Sequence, residues 1–164
     1  MLRLFRERAW ATLPEAKVTN WELLALAQHH GLPTRLLDWS RNPMVAAFFA
    51  VEDSHDRDSL IYAFHNNKFI NTDTNADPFK AASISKFIPN HITTRITAQM
   101  GVFTIHPDPR EQLESEDIHR WVIPNSCRKE MKQTLHKYGI NRASLFPDLD
   151  GLAKFIAWQQ TDGH

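Results

Sequence analysis

Residues 44–51, MVAAFFAV, carry no polar side chain, and they follow directly on Asn42-Pro43. An asparagine that can accept from the first free backbone N–H groups, followed by proline at the first helical position, predicts a helix start. A helix that is apolar on every side has to be enclosed by protein, so the pattern predicts a helix from Met44 to about Glu52, buried all round. The run is far short of the roughly 20 apolar residues that span a bilayer. The rest of the chain is therefore expected to supply its cover.

The segment feeding this helix, Thr34 to Ser40, reads as extended. Period-two alternation puts Thr34, Leu36, Asp38 and Ser40 on one face and Arg35, Leu37 and Trp39 on the other. Upstream of it, Thr19-Asn20-Trp21-Glu22 is a capping box. The helix it opens carries Trp21, Leu24, Ala25 and Gln28 on one face. Gly31 supplies a left-handed stop and Pro33 prevents continuation. His29 and His30 fall in the last turn, where the helix dipole favours protonated imidazoles. An earlier helix is predicted from Leu2, Phe5, Ala9 and Leu13, and so abrupt a start leads us to expect missing upstream structure.

Downstream, SLIYAF (59–64) reads as a strand and 65–80 as a long Asn- and Asp-rich loop suited to a lid or binding loop. Residues 92–98 alternate Ile and Thr and read as a strand, interrupted at Gly101 before VFTIH resumes. DIHRWVIP reads as a further strand. Ser126 or Asn125 is expected to cap a helix with the stripe Cys127, Met131, Leu135 and Tyr138, closed by Gly139. A last helix is expected to turn Leu149, Leu152, Ala153 and Ile156 inward. Strands mixed with helices, without regular βαβ alternation, predict an α+β fold with a compact mixed or antiparallel sheet core and packed helices.

Composition narrows the function. A chain of 164 residues fits a single domain over 1–164 and can bury a core without staples. Lys and Arg total 19, as do Asp and Glu, so no basic field draws in nucleic acid or an anionic membrane. The nine histidines would make the chain basic at lower pH. One cysteine, Cys127, makes neither an internal disulfide nor a cysteine-based zinc site. With no signal-peptide pattern in MLRLFRERAW, the expectation is a cytoplasmic protein with no membrane partner. No glycine-rich phosphate loop, Ser-His-Asp order or zinc finger occurs.

The residues left to carry chemistry are few. Arg35 offers a planar fork for phosphate or carboxylate, and Asp38 can accept a ribose hydroxyl; alternatively the two pair with each other and brace the turn. His29 and His30 are neighbours pointing about 100° apart on a helix, so they do not share a metal, and no metal site is expected. One suits an acid–base role at a cleft beside Pro33, the other a helix end. Gln99 can orient a ribose or a carbonyl, or bond to nearby backbone. Trp39 can stack on a base or a nicotinamide ring, or pack in the core. Cys127 is expected to be a buried, inert thiol.

QHHGLPTRLLDWSRNPMVAAFFAVE resembles the central signature of the FRG domain, a family seen mainly in bacterial proteins. RITAQMGVFTIH (95–106) and YGINRASLFPDLDGLAKFI (138–156) are similar to its later segments. The aromatic-Arg-Gly strand that names the family has no counterpart here, since the chain has no Arg-Gly dipeptide, so the domain is expected to lack its N-terminal strand. The FRG pattern is in turn similar to the ADP-ribosyltransferase layout. That likeness implies NAD as substrate, with ADP-ribosyl transfer or NAD hydrolysis. In it Ser40 and Gln99 position the ribose, and Thr34, Arg35, Trp39 and Ser40 form the cofactor-binding set. His29, His30, Asp38 and Gln99 form the catalytic set. A protein or nucleic-acid acceptor is left open. The alternative is a non-catalytic ligand-sensing or protein-interaction module in a bacterial anti-phage or toxin–antitoxin system.

Overall fold

Thr19 opens its helix as its spacing with Glu22 requires. Its hydroxyl accepts from the Glu22 N–H at 3.2 Å, and the Glu22 carboxylate accepts from the Thr19 N–H at 2.8 Å. The computed structural model describes residues 1–9, 11, 18–89 and 93–161. Among them are seven helices and five strands, the strands forming two small sheets, so the fold is α+β. The helices are α1 (Leu2–Ala9), α2 (Asn20–His29), α3 (Pro43–Glu52), α4 (Thr94–Ala98), α5 (Asn125–Lys137), α6 (Arg142–Leu145) and α7 (Leu149–Thr161). The strands are β1 (Leu36–Ser40), β2 (Ser59–Phe64), β3 (Ser85–Phe87), β4 (Gly101–Ile105) and β5 (Ile118–Ile123). No described helix is long and apolar enough to cross a membrane. The chain divides into two units.

The first unit comprises Met1–Trp39, Asn67–His91 and Val102–Leu113. Its sheet has the order β1-β4-β3. β3 runs antiparallel to β4, Ser85 opposite Ile105 and Phe87 opposite Phe103. The His106 N–H donates to the Arg35 carbonyl at the start of β1. α2 buries Trp21, Leu23, Leu24, Ala25 and Ala27. The Trp21 ring lies 4.8 Å from Phe87, and Phe87 stacks on Phe103 at 6.3 Å. The Trp21 indole N–H donates to the Asn75 carbonyl at 2.6 Å, tying the long loop to this core. That loop is shaped by Asn71, which accepts from the Asp73 and Thr74 N–H groups, and by Asp77, which caps a 3-10 turn at Pro78–Lys80. Gly31 takes φ +82 and ends α2 as expected. In α1, Leu2, Phe5 and Ala9 are half-buried together; Leu13 lies outside the described residues.

The second unit comprises Ser40–Asn66, Ile92–Gly101 and Glu114–His164. β2 and β5 pair antiparallel, Ser59 opposite Ile123 and Phe64 opposite Ile118. Val45, Phe48, Val51, Ile123, Leu135, Leu145 and Phe146 form the core. Arg128 is buried and donates to the carbonyls of Asp53, His55 and Arg57, so a cation closes the loop that leaves α3.

Several expectations fail here for physical reasons. α3 is not buried all round: Val45, Phe48 and Val51 are, but Met44 is 37% and Phe49 45% exposed. Its partners, α5 and a two-stranded sheet, are too small to wrap it. Residues 94–98 are helix α4 rather than strand, because the Thr93 hydroxyl caps it by accepting from the Ile96 N–H at 3.3 Å; Ile92 lies outside the described residues. Gln99 is therefore a helix C-cap and not a strand residue. α5 follows Pro124 without a side-chain cap of its own, and Asp58 accepts from the Asn125 N–H at 2.9 Å in place of Asn125 or Ser126. Cys127 is an exposed thiol, not a core one, and Arg128 occupies the buried position beside it. α7 is turned from its expected face. Gly151, Phe155 and Trp158 face inward, the two rings flanking His136 at 5.3 and 5.4 Å, while Leu149, Leu152, Ala153 and Ile156 are exposed. Two aromatic rings bury more apolar area than the aliphatic stripe does.

Candidate functional site

The central motif folds back on the end of α2. Thr34 donates its hydroxyl proton to Gln28 Oε1 at 2.6 Å, and its oxygen accepts from the Leu36 N–H at 3.0 Å. Gln28 Nε2 donates to Asp38 at 2.6 Å. Gln28 is thus the clamp between the helix and the strand, a role the sequence reading missed. Asp38 is held by this amide rather than by Arg35. Arg35 precedes β1 while Asp38 lies within it, and no ion pair joins the two.

Arg35 is free of Asp38 and turns the other way. Its guanidinium carbon lies 4.9 Å from the Phe79 ring centroid, and Nη1 donates to the Pro107 carbonyl at 3.3 Å. Asp108 is engaged instead by Arg110, at 2.6 and 2.9 Å. That pairing, with a smaller attraction from Arg35, holds the Asp108 carboxyl down at about 2.

Thr34 and Arg35 open onto a groove of about 780 Å³ within this unit. Arg3 and Arg6 of α1, Leu23 of α2 and Phe79 also line it, and no acidic side chain does among the described residues. Arg6 donates to Asn20 Oδ1 at 2.8 Å, and Arg3 makes an exposed pair with Glu7 at 3.6 Å. The α1 arginines and Phe79 were not anticipated. The Arg3–Arg6 spacing of three on a helix was the available signal, since it puts both on one face.

The other expected residues do not line this groove. His29 and His30 meet edge to face at 5.1 Å at the end of α2. Trp39 donates its indole N–H to Thr104 Oγ1 at 2.9 Å, and Thr104 lies 2.9 Å from His106 Nε2. Thr104 is wholly buried and His106 nearly so, and this burial pushes the His106 pKa below its usual 6.5. A neutral ring accepting the Thr104 hydroxyl proton at Nε2 fits that shift. The alternation of VFTIH puts Thr104 and His106 on one face, but a histidine inside an apolar strand drew no notice.

Ser40 and Gln99 belong to the second unit, and they meet there. The Ser40 hydroxyl donates to the Gln99 carbonyl at 2.7 Å and accepts from the Asn42 N–H at 3.0 Å. The Gln99 side-chain amide donates to the Leu145 carbonyl at 3.1 Å. Both side chains thus hold backbone, Ser40 at the turn into α3 and Gln99 at the start of the turn after α6.

An α+β chain with this strand-to-buried-helix motif defines the class. More specifically, residues 1–59 match the family model of the FRG domain. That stretch takes in α1, α2, β1 and α3 and ends at the first residue of β2; the segments 95–106 and 138–156 lie beyond it. No curated protein and no solved structure matches the chain.

Proposed function

We propose that the groove of the first unit binds a phosphate-bearing ligand of nucleotide type, with NAD as the case to test, and that the chain acts as a ligand-sensing module. The observation that supports this is the lining: three arginines, no carboxylate among the described residues, and a partly exposed aromatic ring. Arg35 is the central group. Its stack on Phe79 restrains the guanidinium plane, and a restrained fork loses less entropy on gripping a diphosphate at two points. Leu23, Leu24 and Leu32 give the groove an apolar wall for a ring or a ribose face.

A catalytic reading, ADP-ribosyl transfer or NAD hydrolysis, needs more. The Ser40 hydroxyl and the Gln99 amide would have to leave the backbone groups they now hold, which is why sensing is the better-supported reading. An anti-phage or toxin–antitoxin setting is what the FRG resemblance implies for such a module.

Calorimetric titration with NAD, ADP-ribose and inorganic diphosphate tests the proposal. Saturable binding of NAD and ADP-ribose, weakened by salt, is expected. No heat from any of the three up to about 1 mM, an affinity of only about −4 kcal/mol, would overturn it. A parallel assay for released nicotinamide separates sensing from turnover.

A further inference from the structure

In the second unit α3, α5, α6 and α7 meet around a cavity of about 20 Å³. Its charged lining is uneven. Lys132 of α5, Arg142 of α6 and Lys154 of α7 bring three cations, and Glu52 of α3 is the only carboxylate among the described lining residues. Glu52 is already shared: Oε1 accepts from Arg142 Nη1 at 2.7 Å, and Oε2 lies 3.3 Å from Lys132 Nζ. Lys132 also donates to the Glu52 carbonyl at 2.8 Å, which leaves one of its three ammonium protons uncommitted. Lys154 makes no ion pair among the described residues. Arg142 Nε and His136 Nδ1 are buried with no hydrogen-bond partner among the described residues.

From this arrangement we infer that the cavity is the socket for a tetrahedral oxyanion with two negative charges, a phosphate or sulfate group. Charge sets the class. Three cations against one carboxylate leave an excess of two positive charges, which a dianion cancels and a carboxylate ligand does not. Size sets the mode of entry. A cavity of this volume holds one water-sized atom, so one oxygen of the anion enters. The rest of the group stays on the solvent side, where Lys154 is exposed. The unpartnered Arg142 N–H and, in the tautomer protonated there, His136 Nδ1 supply donors to it.

Aromatic walls strengthen the attraction by lowering the local dielectric. Trp158 is one of them, and Lys132 Nζ lies 5.5 Å from its ring centroid. The cavity shares no residue with the arginine-lined groove of the first unit, and the inference does not rest on the ligand proposed there.

Melting temperatures of the full chain test it, in inorganic phosphate, sulfate, glycerol phosphate, acetate and chloride at matched ionic strength. Concentrations stay below about 20 mM, where exclusion of salt from the protein surface contributes little. Phosphate and sulfate should stabilise saturably, by about 3 °C at ten times the Kd, and acetate and chloride by clearly less. Lys154→Gln should melt with the wild type in chloride, since that ammonium pairs with nothing in the fold, and should lose most of the oxyanion gain. Lys154→Arg, which keeps the charge, should retain it. A gain from glycerol phosphate equal to that from the inorganic ion assigns the group to an ester ligand, and a gain from the inorganic ion alone assigns it to free phosphate; either upholds the inference. It is overturned by the lack of a saturable gain, or by an equal gain in acetate or chloride. A gain that Lys154→Gln retains also overturns it, because the anion would then bind elsewhere.

Discussion

Gly151 lies against Phe146 so closely that a methyl group in its place would meet the Phe146 carbonyl oxygen at 2.0 Å and the Phe146 Cβ at 2.6 Å. The Asp148 carboxylate accepts from the Gly151 N–H at 2.7 Å, so the first turn of α7 is fixed where it meets Phe146. Phe146 is itself held between two guanidinium groups, Arg95 at 4.2 Å and Arg142 at 4.4 Å from its ring. The clash falls on backbone with no free direction to move. Gly151→Ala is expected to destabilise the fold by about 3 kcal/mol or more. Gly139→Ala provides the contrast. That glycine has open space but φ +80, and its cost should stay near 1 kcal/mol. Urea melts of the two variants check the ordering.

Phe48 and Phe49 are adjacent on α3 but differ in environment, one 2% and the other 45% exposed. Phe48→Ala should cost roughly 3–5 kcal/mol, as removal of a fully buried ring does. Phe49→Ala loses an edge-to-face contact with Phe146 at 6.0 Å and should cost only about 1–2 kcal/mol. Equal losses in thermal melts would mean that Phe49 is covered in solution, as the all-apolar sequence of α3 alone suggests.

How much of this was legible in the sequence depended on whether the signal was local. The Thr19–Glu22 box, the Asn42-Pro43 start and the Gly31 stop depend on residues within a turn of each other, and all three form. β2 was legible because SLIYAF is a short run of apolar, β-branched and aromatic residues of strand length. Residues 94–98 misled because alternating Ile and Thr suits both a strand and a helix capped by Thr93. The Asp58 cap on α5, the burial of Arg128 and the inward face of α7 depend on residues far apart in sequence. No periodicity reports them. At the site, Arg35 was legible by its chemistry, but Phe79 and the α1 arginines join it only through tertiary structure.

His106 makes the fold pH-sensitive in a definite direction. Its native pKa lies below the ordinary value of 6.5 because burial disfavours the charged ring. In the window between the two values the unfolded chain binds a proton that the native chain does not. Stability is therefore full above about pH 7.5, falls as pH drops through 6.5 and levels off below the native pKa. His106→Gln should be less stable at neutral pH but should show a flatter profile between about pH 7.5 and 5. Parallel melts across that range check it; identical slopes would mean that His106 titrates as it does unfolded.

Arg35→Lys separates ligand recognition from scaffolding. Lysine keeps the charge but loses the planar fork and the stacking face, so it contacts a diphosphate at one point instead of two. Asp38 does not depend on Arg35, since Gln28 holds it at 2.6 Å. The bond that Arg35 makes to the Pro107 carbonyl is long, at 3.3 Å. The variant should therefore keep its melting temperature within a few degrees, a loss of under about 1 kcal/mol. It should weaken NAD and ADP-ribose binding about tenfold or more, equivalent to one charge-assisted bond of about 1.4 kcal/mol. Arg6→Lys, whose guanidinium is already bonded to Asn20, should have a smaller effect on the same titration. If Arg35→Lys lowers the melting temperature markedly while leaving binding unchanged, Arg35 is a brace for β1 and Phe79. The recognition role would then pass to the α1 arginines or be abandoned.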